Sequence, residues 1–275
     1  MAARARLDAE LVRRGIARSR EHAATLIADG LVTVRGMVSV KAATAVEATT
    51  PIHVRDCDDP GWASRGAQKL LGALETFEPL GLTTSGVRCL DAGASTGGFT
   101  DVLLRRGARE VVAVDVGRGL LDWRLRTDER VTVLDRTNAR SLTPELLGGQ
   151  VELIVADLSF ISLRLVLPAF ARCAAAGADV LPMVKPQFEV GRARLGQGGV
   201  VRDPELRERA ILDVVGSARE HGFALHGVVA SPLPGPSGNV EYFAWLRHAV
   251  PGDTLDGDPD AVTELIRAAV REGPR

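Results

Sequence analysis

Apolar and polar positions follow two different rhythms along this chain, and each rhythm predicts a different kind of element. Short apolar runs predict buried strands, whereas segments with an apolar residue at every third or fourth position predict helices packed on one face. The predicted strands cover 87–91, 110–116, 131–134, 152–157, 179–184, 223–230 and 240–247. The predicted helices cover 68–77, 98–106, 162–176, 204–220 and 261–271.

Strands and helices that alternate in this way predict an α/β fold, with a mostly parallel sheet covered on both faces. The last two strands are joined by the segment 231–238, which reads Ser-Pro-Leu-Pro-Gly-Pro-Ser-Gly. This segment is too short and too rich in proline for a crossover helix. We therefore predict a Rossmann-like sheet of seven strands in which the last strand is antiparallel.

The first part of the chain, residues 4–55, has a different pattern. Two short apolar stripes predict two helices, the second one capped by Ser19 and ended by Gly30. Residues 31–40 alternate about Gly36, which predicts a hairpin. A polar segment marked by proline and glycine follows at 56–61. We predict a small α+β domain over 1–56, a linker over 57–66 and a large domain over 67–275.

Composition narrows the class of protein. The chain has 275 residues, of which 45% are hydrophobic and 25% charged, as in ordinary globular proteins. Its cysteines, Cys57, Cys89 and Cys173, lie far apart, which argues against a zinc site and a disulfide framework. Cys89 is interpreted as core packing. No apolar run reaches the roughly 18 residues of a membrane span. We expect a soluble, cytoplasmic protein that binds neither a metal nor a membrane; its oligomeric state stays open, and a monomer is assumed.

Positive charge is concentrated at the amino-terminal end. Residues 4–55 contain nine basic residues against five acidic ones. Two interpretations stay open: a solvated helix face, or a patch that contacts phosphates. A small basic turn just before the large domain could also meet a phosphate. The candidate RNA-binding residues are Arg4, Arg6, Arg14, Arg18, Arg20 and Arg65.

A glycine loop follows the first strand of the large domain. A strand, a glycine turn and a helix form the first unit of a nucleotide-binding α/β fold, where the backbone must approach the ligand closely. The loop lacks the lysine of a phosphate-binding loop and the spacing typical of dinucleotide enzymes. Acidic residues at two strand ends favour S-adenosylmethionine, although an NAD-type ligand stays open. The candidate cofactor-binding residues are Asp91, Gly93, Ala94, Ser95, Thr96, Gly97, Gly98 and Asp115.

Three further charged residues are predicted at the same edge of the sheet. Asp157 and Lys185 each close a strand, and Glu241 opens the antiparallel one. Because ligands bind beyond the carboxyl ends of such strands, these side chains are expected to converge beside the glycine loop. Lys69, at the start of the helix before the first strand, is a further candidate.

Several of these runs resemble known families. The runs Ala17 to Ala23 and Asp29 to Gly36 resemble the S4 RNA-binding domain. Four further runs resemble the TlyA family: the glycine loop, Asp157-Leu-Ser-Phe-Ile-Ser-Leu, Lys185-Pro-Gln-Phe-Glu and Gly238-Asn-Val-Glu-Tyr-Phe. The resemblance covers residues 4 to about 248. It implies an S4 domain followed by an FtsJ-like, class I methyltransferase domain. It also implies S-adenosylmethionine as cofactor, ribosomal RNA or ribosomal subunits as partner, and methylation of a cytidine 2′-hydroxyl.

The resemblance also assigns residues. It implies a catalytic tetrad, and it adds Asp135 and Asn138 to the cofactor site. The catalytic residues it implies are Lys69, Asp157, Lys185 and Glu241. A ribose hydroxyl is a poor nucleophile, so a lysine amine held in a buried site is a suitable group to orient it or accept its proton. We assign that role to Lys185, held by Asp157.

The chain departs from the family pattern at Pro60, Ala63, Arg118 and Leu120, which leaves the choice of ribosomal subunit open. The glycine-rich segment 191–199, with Arg192 and Arg194, is either a lid over the RNA or an ordinary loop. Two other functions stay open at this point: a non-catalytic RNA-binding or ribosome-assembly factor, and a haemolysin.

Overall fold

A computed structural model of the chain describes residues 4–17, 19–54, 61–191, 194–235, 237–250 and 258–273. The predictions made for Arg18, Cys57, Pro60 and Arg192 therefore lie outside the described residues. The chain divides into two compact units, Met1–Gly61 and Trp62–Arg275, called here the small unit and the large unit.

The small unit holds two short helices and two small sheets. Strand β1 pairs antiparallel with β4, and β2 pairs antiparallel with both β3 and β5. Leu7, Leu11 and Ile27 are almost fully buried between these elements. The elements are β1 (Arg4–Arg6), α1 (Leu7–Arg13), α2 (Arg20–Ala28), β2 (Val32–Val34), β3 (Met37–Val38), β4 (Ala45–Glu47) and β5 (Ile52–Val54).

Local sequence explains the predicted parts of this unit. The Ser19 hydroxyl accepts a hydrogen bond from the His22 N–H at 3.1 Å, which caps α2 as predicted. The hairpin β2–β3 turns at Arg35 and Gly36, which have φ values of 53° and 81°. Two successive positive φ values match the twist of a tight hairpin. Strands β1, β4 and β5 have three residues each, too few for a periodic pattern.

The large unit is built on a sheet of seven strands in the order β11-β12-β10-β9-β6-β7-β8. Strand β12 is antiparallel to β10 and β11, and the other pairings are parallel, which confirms the predicted class of sheet. The strands are β6 (Arg88–Ala92), β7 (Glu110–Val114), β8 (Val131–Leu134), β9 (Val151–Ala156), β10 (Ala174–Val184), β11 (Phe223–Ala230) and β12 (Tyr242–His248).

Helices cover both faces of this sheet. Neighbouring strand residues such as Cys89 and Leu90 point to opposite faces and are both completely buried. Burial raises the pKa of the Cys89 thiol to about 12, in keeping with its predicted place in the core. The α-helices are α3 (Gly66–Phe77), α4 (Gly98–Arg105), α5 (Trp123–Arg126), α6 (Pro144–Leu147), α7 (Leu167–Cys173), α8 (Pro186–Glu189), α9 (Pro204–Glu220) and α10 (Pro259–Glu272).

Several predicted boundaries were wrong. The predicted helix 162–176 ends at Cys173, and β10 begins at Ala174 rather than at 179. The run Ala-Ala-Ala-Gly-Ala is equally apolar as helix or strand, and its pairing with β9, with a register shift before Asp179, decides in favour of the strand. The predicted strand 110–116 stops at Val114, because the Asp115 carboxylate accepts a hydrogen bond from the Gly117 N–H and turns the chain.

The topology brings the carboxyl ends of the parallel strands and the amino end of β12 to one edge of the sheet. Asp157 follows β9, Lys185 follows β10 and Glu241 precedes β12. Within the described residues, no helix is long and apolar enough to cross a membrane. No cluster of three potential metal ligands occurs in the same part of the chain.

Candidate active site

Asp157 and Lys185 form a close ion pair at this edge. The Lys185 Nζ atom lies 2.5 Å from Oδ1 of Asp157 and 3.0 Å from the Ser159 hydroxyl oxygen. The lysine is only 6% exposed, although it carries an ionisable amine. A buried amine needs polar partners, and here the segment that follows β9 supplies both.

Lys69 and Glu241 extend this pair into a chain of alternating charges. The Lys69 Nζ atom lies 2.6 Å from Oε2 of Glu241 and 3.8 Å from Oδ2 of Asp157. Lys69 is 7% exposed and Glu241 is 1% exposed. The four residues predicted to form the tetrad are thus brought together, with Asp157 between two lysines.

Each tetrad residue is fixed by the element that carries it. Lys69 lies in the first turn of α3, and Lys185 precedes Pro186, the first residue of α8. The Asp157 N–H donates to the Ala92 carbonyl at 3.1 Å, which ties the end of β9 to the end of β6. Residues far apart in sequence are therefore held by backbone geometry, which suits a preorganised site.

The glycine loop lies directly against this cluster. Gly93 has a φ of 89°, and a Cβ atom there would come within 2.6 Å of the Asp157 carbonyl oxygen. Gly97, at φ 97°, would collide with the side chains of Leu121 and Leu125 if it carried a Cβ. The loop needs glycine at both positions, because neither the space nor the backbone conformation suits another residue.

Asp115 fixes the other side of the loop. Its carboxylate accepts hydrogen bonds from the Ser95 N–H at 2.8 Å and the Gly117 N–H at 2.7 Å. Ser95 has a φ of 48°, a value uncommon for residues other than glycine. The predicted loop residues thus form one structured turn between β6 and α4, and the Thr96 carbonyl accepts from the Asp122 N–H at 3.1 Å.

Asp91 is the buried acid at the base of this loop. It is completely buried; its Oδ2 accepts a hydrogen bond from the Thr100 hydroxyl at 2.7 Å, and its Oδ1 has no hydrogen-bond partner among the described residues. Burial raises its pKa to about 7. An orphaned carboxylate oxygen beside a loop that a Cβ would fill fits a ligand that carries an ammonium group, such as S-adenosylmethionine.

Asp135 and Asn138 lie just after β8, at the same edge of the sheet. Asp135 forms an ion pair with Arg126 at 3.2 Å, and the Asn138 side chain accepts from the Arg140 N–H at 3.0 Å. Ala94 is buried in the loop. The structure places these residues around the loop, and their role in cofactor binding stays a prediction.

The predicted RNA-binding arginines differ in their surroundings. Arg4 pairs with Glu47 at 3.4 Å, and Arg6 and Arg20 both bind Asp8. Arg65 is an exposed residue just before α3. Arg14, in contrast, turns inward: its guanidinium binds the Glu10 carboxylate and the carbonyls of Glu47, Ala48 and Thr50.

Sequence reasoning missed four residues near the tetrad, although all lie in runs that it quoted. Ser159 binds Lys185, and Gln187 donates to Glu241 at 3.4 Å. Glu189 is buried and accepts from the Ser162 hydroxyl at 2.6 Å and the Leu163 N–H at 2.8 Å, which joins α8 to the segment after Asp157. The fourth residue, Phe160, is 91% exposed.

Phe160 has an unusual backbone. Its φ is 63°, which is strained for a large residue, and its ring lies 5.3 Å from that of Phe188. An exposed aromatic residue held in a strained conformation three positions after Asp157 is a candidate for contact with a substrate. The sequence feature that could have pointed to Phe160 is its place in the run Asp-Leu-Ser-Phe that begins at Asp157.

Of the departures from the family pattern, Ala63, Arg118 and Leu120 lie among the described residues. The Ala63 N–H donates to the Asp101 carboxylate at 2.9 Å, a bond that does not depend on the side chain at 63. Leu120 lies against Gly117, and Arg118 is exposed. Gly199, the last residue of the segment 191–199, is held by the buried Asn239. The Asn239 side-chain amide donates to the Gly199 carbonyl at 3.0 Å, and its side-chain oxygen accepts from the Val201 N–H at 2.9 Å. Both interpretations of that segment stay open.

The strand order, the single antiparallel strand and the glycine loop after β6 together define a class I, S-adenosylmethionine-dependent methyltransferase fold. The model of the FtsJ-like methyltransferase family matches residues 62–248. The chain is 59% identical over 278 residues, and over 100% of both chains, to the 16S/23S rRNA (cytidine-2′-O)-methyltransferase TlyA of Mycobacterium tuberculosis. This chain belongs to the TlyA family of FtsJ-like methyltransferases, which confirms the predicted resemblance.

Two other relatives extend the comparison. The chain is 35% identical to Hemolysin A of Brachyspira hyodysenteriae, over 87% of this chain and 98% of that one. A solved structure from Streptococcus thermophilus has 35% identity and a TM-score of 0.75, and the match covers 99% of this chain and 98% of that one.

Proposed function

We propose that this protein transfers a methyl group from S-adenosylmethionine to the 2′-hydroxyl of a cytidine in ribosomal RNA, in the cytoplasm where ribosomal subunits are found. The observation that carries the proposal is the row Lys185–Asp157–Lys69–Glu241, whose two lysines and glutamate are buried and which lies beside the glycine loop. The substrate and the nucleotide come from what the Mycobacterium tuberculosis relative is named for. No metal is required by this chemistry.

The residues around the glycine loop would hold the cofactor. Asp91 offers its unpartnered carboxylate oxygen, Asp115 closes the far side of the loop, and Gly93 and Gly97 keep the space free. When bound, the cofactor supplies a methyl group that is already strongly electrophilic. The protein therefore has to bind and align the two reactants and to exclude water, rather than to activate the methyl donor.

Lys185 acts on the nucleophile. A neutral ribose hydroxyl is a poor nucleophile, and proton removal by a positioned side chain contributes about 10²- to 10⁴-fold in rate. Lys185 orients the hydroxyl and, in its neutral amine form, accepts the proton, and the ammonium that results is paired with Asp157. Asp157 and Ser159 hold the amine from two sides, at 2.5 Å and 3.0 Å, so that it has one orientation.

Lys69 and Glu241 complete the site. Glu241 accepts from Lys69 and from Gln187, and Gly235 leaves room for its carboxylate, since a Cβ there would lie 2.5 Å from Oε1. Lys69 is therefore held next to Asp157, where a cation positions the ribose and balances the charge of the two acids.

Phe160 offers an exposed aromatic ring three residues after Asp157. A base within a folded RNA must leave its stack before its ribose reaches a buried lysine, and unstacked bases bind to exposed aromatic rings. The exposed, strained Phe160 is suited to this contact, and Phe188 supports its ring.

The small unit supplies affinity for the RNA rather than chemistry. Its exposed arginines offer charge-assisted contacts to phosphates, which would make binding depend on salt concentration. We assign this unit to the S4 RNA-binding domain class, and its boundary near residue 56 remains part of the proposal.

The test is transfer of labelled methyl groups to separated, unmodified small and large ribosomal subunits. Wild type is compared with Lys185→Ala and with a control, Lys41→Ala, which changes an exposed lysine of the small unit. Transfer by wild type and Lys41→Ala, but not by Lys185→Ala, supports the proposal and identifies the subunit. If wild type binds the cofactor and RNA but transfers nothing to either subunit, the protein is a non-catalytic binding factor instead.

A further inference from the structure

A single carboxylate in the small unit binds two arginines. The Asp8 Oδ2 atom lies 2.9 Å from Nη2 of Arg6 and 2.9 Å from Nη2 of Arg20. Its Oδ1 accepts from Nε of Arg6 at 3.1 Å and from the Ala9 N–H at 2.8 Å. The hydrogen bonds from Arg6 hold the pKa of the Asp8 carboxyl well below its usual range. Asp8 is therefore an anion whose two oxygens are both occupied.

The acid is buried while its arginines are exposed. Asp8 is 5% exposed, whereas the side chains of Arg6 and Arg20 are 52% and 60% exposed. Two nitrogen atoms that each lie 2.9 Å from one oxygen can be no further apart than twice that distance. Two guanidinium groups of like charge are thus held side by side at the surface, an arrangement that their repulsion would otherwise oppose.

A neighbouring acid in the same unit binds its two arginines in a different way. Glu10, which is also buried, binds Arg13 and Arg14. Arg14 is only 21% exposed and donates to the carbonyls of Glu47, Ala48 and Thr50, so it joins α1 to the segment that follows β4. The donors of Arg14 are consumed within the fold, whereas the Asp8 pair faces solvent.

We propose that Arg6 and Arg20 form a clamp for one phosphate group of an RNA backbone, and that Asp8 is the positioning residue of this clamp. The inference rests on the proposed function and deepens it, because it specifies how the small unit grips its substrate. Arginine forks bind phosphate oxygens in pairs, and a clamp that is already assembled loses less side-chain entropy on binding. The small unit thus needs an acidic residue in order to bind an anion.

This proposal predicts an effect of opposite sign to that of simple charge. Asp8→Asn removes one negative charge, so general electrostatics predicts that RNA binding becomes tighter. The clamp predicts weaker binding, because a neutral amide no longer offsets the repulsion between the two arginines. The sign of the change therefore separates the two explanations.

The experiment measures filter binding of the full-length protein to transcripts of 16S and 23S ribosomal RNA, at salt concentrations from about 50 to 200 mM. The control is Asp29→Asn, the same chemical change at an exposed residue after α2. We expect Asp8→Asn to weaken binding about five- to tenfold, the loss of one charge-assisted contact. The slope of log K against log salt should become shallower by about 1. Asp29→Asn should bind as well as wild type or slightly better.

A second comparison separates positioning from stability. In an Arg6→Ala/Arg20→Ala background, Asp8→Asn should leave RNA affinity unchanged, and thermal unfolding of each variant shows whether it is folded. Unchanged or tighter binding by folded Asp8→Asn overturns the clamp, as does an equal loss of affinity in the double-alanine background. If wild type binds neither transcript and methylates neither subunit, the proposed function itself is wrong and the clamp falls with it.

Discussion

Two carboxylates of this protein each bind two cationic side chains, but their surroundings differ. Asp157 binds Lys185 and Lys69 in the large unit, and Asp8 binds Arg6 and Arg20 in the small unit. The lysine side chains are 7% and 9% exposed, whereas the arginine side chains are 52% and 60% exposed. Each unit thus uses an acid to hold two cations together, one pair inside and one pair at the surface.

The difference shows what decides the role of such a group. A lysine amine can give up and accept a proton, and burial protects that exchange from water, so the inner pair suits chemistry. A guanidinium stays protonated and presents a planar set of donors, so the outer pair suits binding of an anion. Residue type and exposure together, rather than the ion pair itself, separate catalysis from recognition.

The largest effect is expected when the buried amine of Lys185 is removed. Lys185→Ala should reduce methyl transfer about 10³-fold or more, since it deletes the group that orients the hydroxyl and accepts its proton. Affinity for S-adenosylmethionine, measured by calorimetry, should change less than about twofold, because the glycine loop and Asp91 are intact. Lys41→Ala serves as the control and should match wild type in cofactor affinity and, at saturating RNA, in methyl transfer. A large loss of cofactor affinity in folded Lys185→Ala would contradict the assignment.

Removal of the bridging acid should affect the two units unequally. Asp157→Asn leaves two buried lysines with less compensation and should lower the free energy of unfolding by about 2–4 kcal/mol, somewhat below the range for a fully buried pair because Asp157 is 22% exposed. Asp8→Asn should cost less, because its arginines remain in water. All three tryptophans lie in the large unit, so denaturation followed by tryptophan fluorescence reports on Asp157→Asn, and far-ultraviolet circular dichroism reports on both. Equal losses would show that exposure of the cations does not matter.

The inner site also depends on the close approach of Gly93 to the backbone of Asp157. Gly93→Ala should destabilise the large unit by about 2–3 kcal/mol, because the new Cβ meets the Asp157 carbonyl 2.6 Å away and φ is 89°. Gly86→Ala is the matched control, since its φ of 75° is similar but no atom lies within 4 Å of the added Cβ. It should cost about 1 kcal/mol. Similar losses in urea denaturation would assign the effect to φ alone.

Asp91 is a buried acid with which no cation pairs among the described residues. Its pKa is raised from an ordinary 3.8 to about 7, whereas that of Asp8 is lowered. Between the ordinary pKa of 3.8 and the raised pKa of about 7, the Asp91 carboxyl keeps its proton in the folded state but has released it in the unfolded state. Stability should therefore fall as the pH rises from about 4 to about 7, by at most about 1.4 kcal/mol per pH unit.

Asp91→Asn provides the measurement. The difference in free energy of unfolding between wild type and Asp91→Asn should decrease from pH 5 to pH 7 and become constant above pH 8. A difference that does not vary with pH would show that Asp91 is ionised throughout this range.

Much of the large unit could be predicted because its strands are buried on both faces. Continuous apolar runs such as 152–157 leave few alternatives, and the proline-rich link at 231–238 allowed the antiparallel last strand to be predicted. The prediction failed where the sequence is apolar without a period, as at Ala174 to Ala178, because pairing with β9 chose strand over helix. Strands β1, β4 and β5 of the small unit could not be predicted for the same reason, because their pairing partners define them.

The tetrad was predicted from motifs, but the partners that hold it were not. Glu189 and Gln187 lie in a run that sequence reasoning quoted. Nothing in that run shows that the Glu189 carboxylate accepts a hydrogen bond from the Leu163 N–H, or that the Gln187 side chain donates to Glu241. In the small unit, a count of charges treated Arg14 and Arg20 alike, although one points inward and the other outward.

The sequence by itself determined the order of strands and helices and the glycine loop, because apolar period and motif spacing are local properties. The four charged residues of the site were predicted through the resemblance to the TlyA family. Only the tertiary structure decided which cations share a carboxylate, which of them are buried, and that Asp91 keeps an unpartnered oxygen. These properties depend on contacts between residues as far apart as Lys69 and Glu241. Burial changes the chemistry of an ionisable group, and burial exists only once the chain has folded.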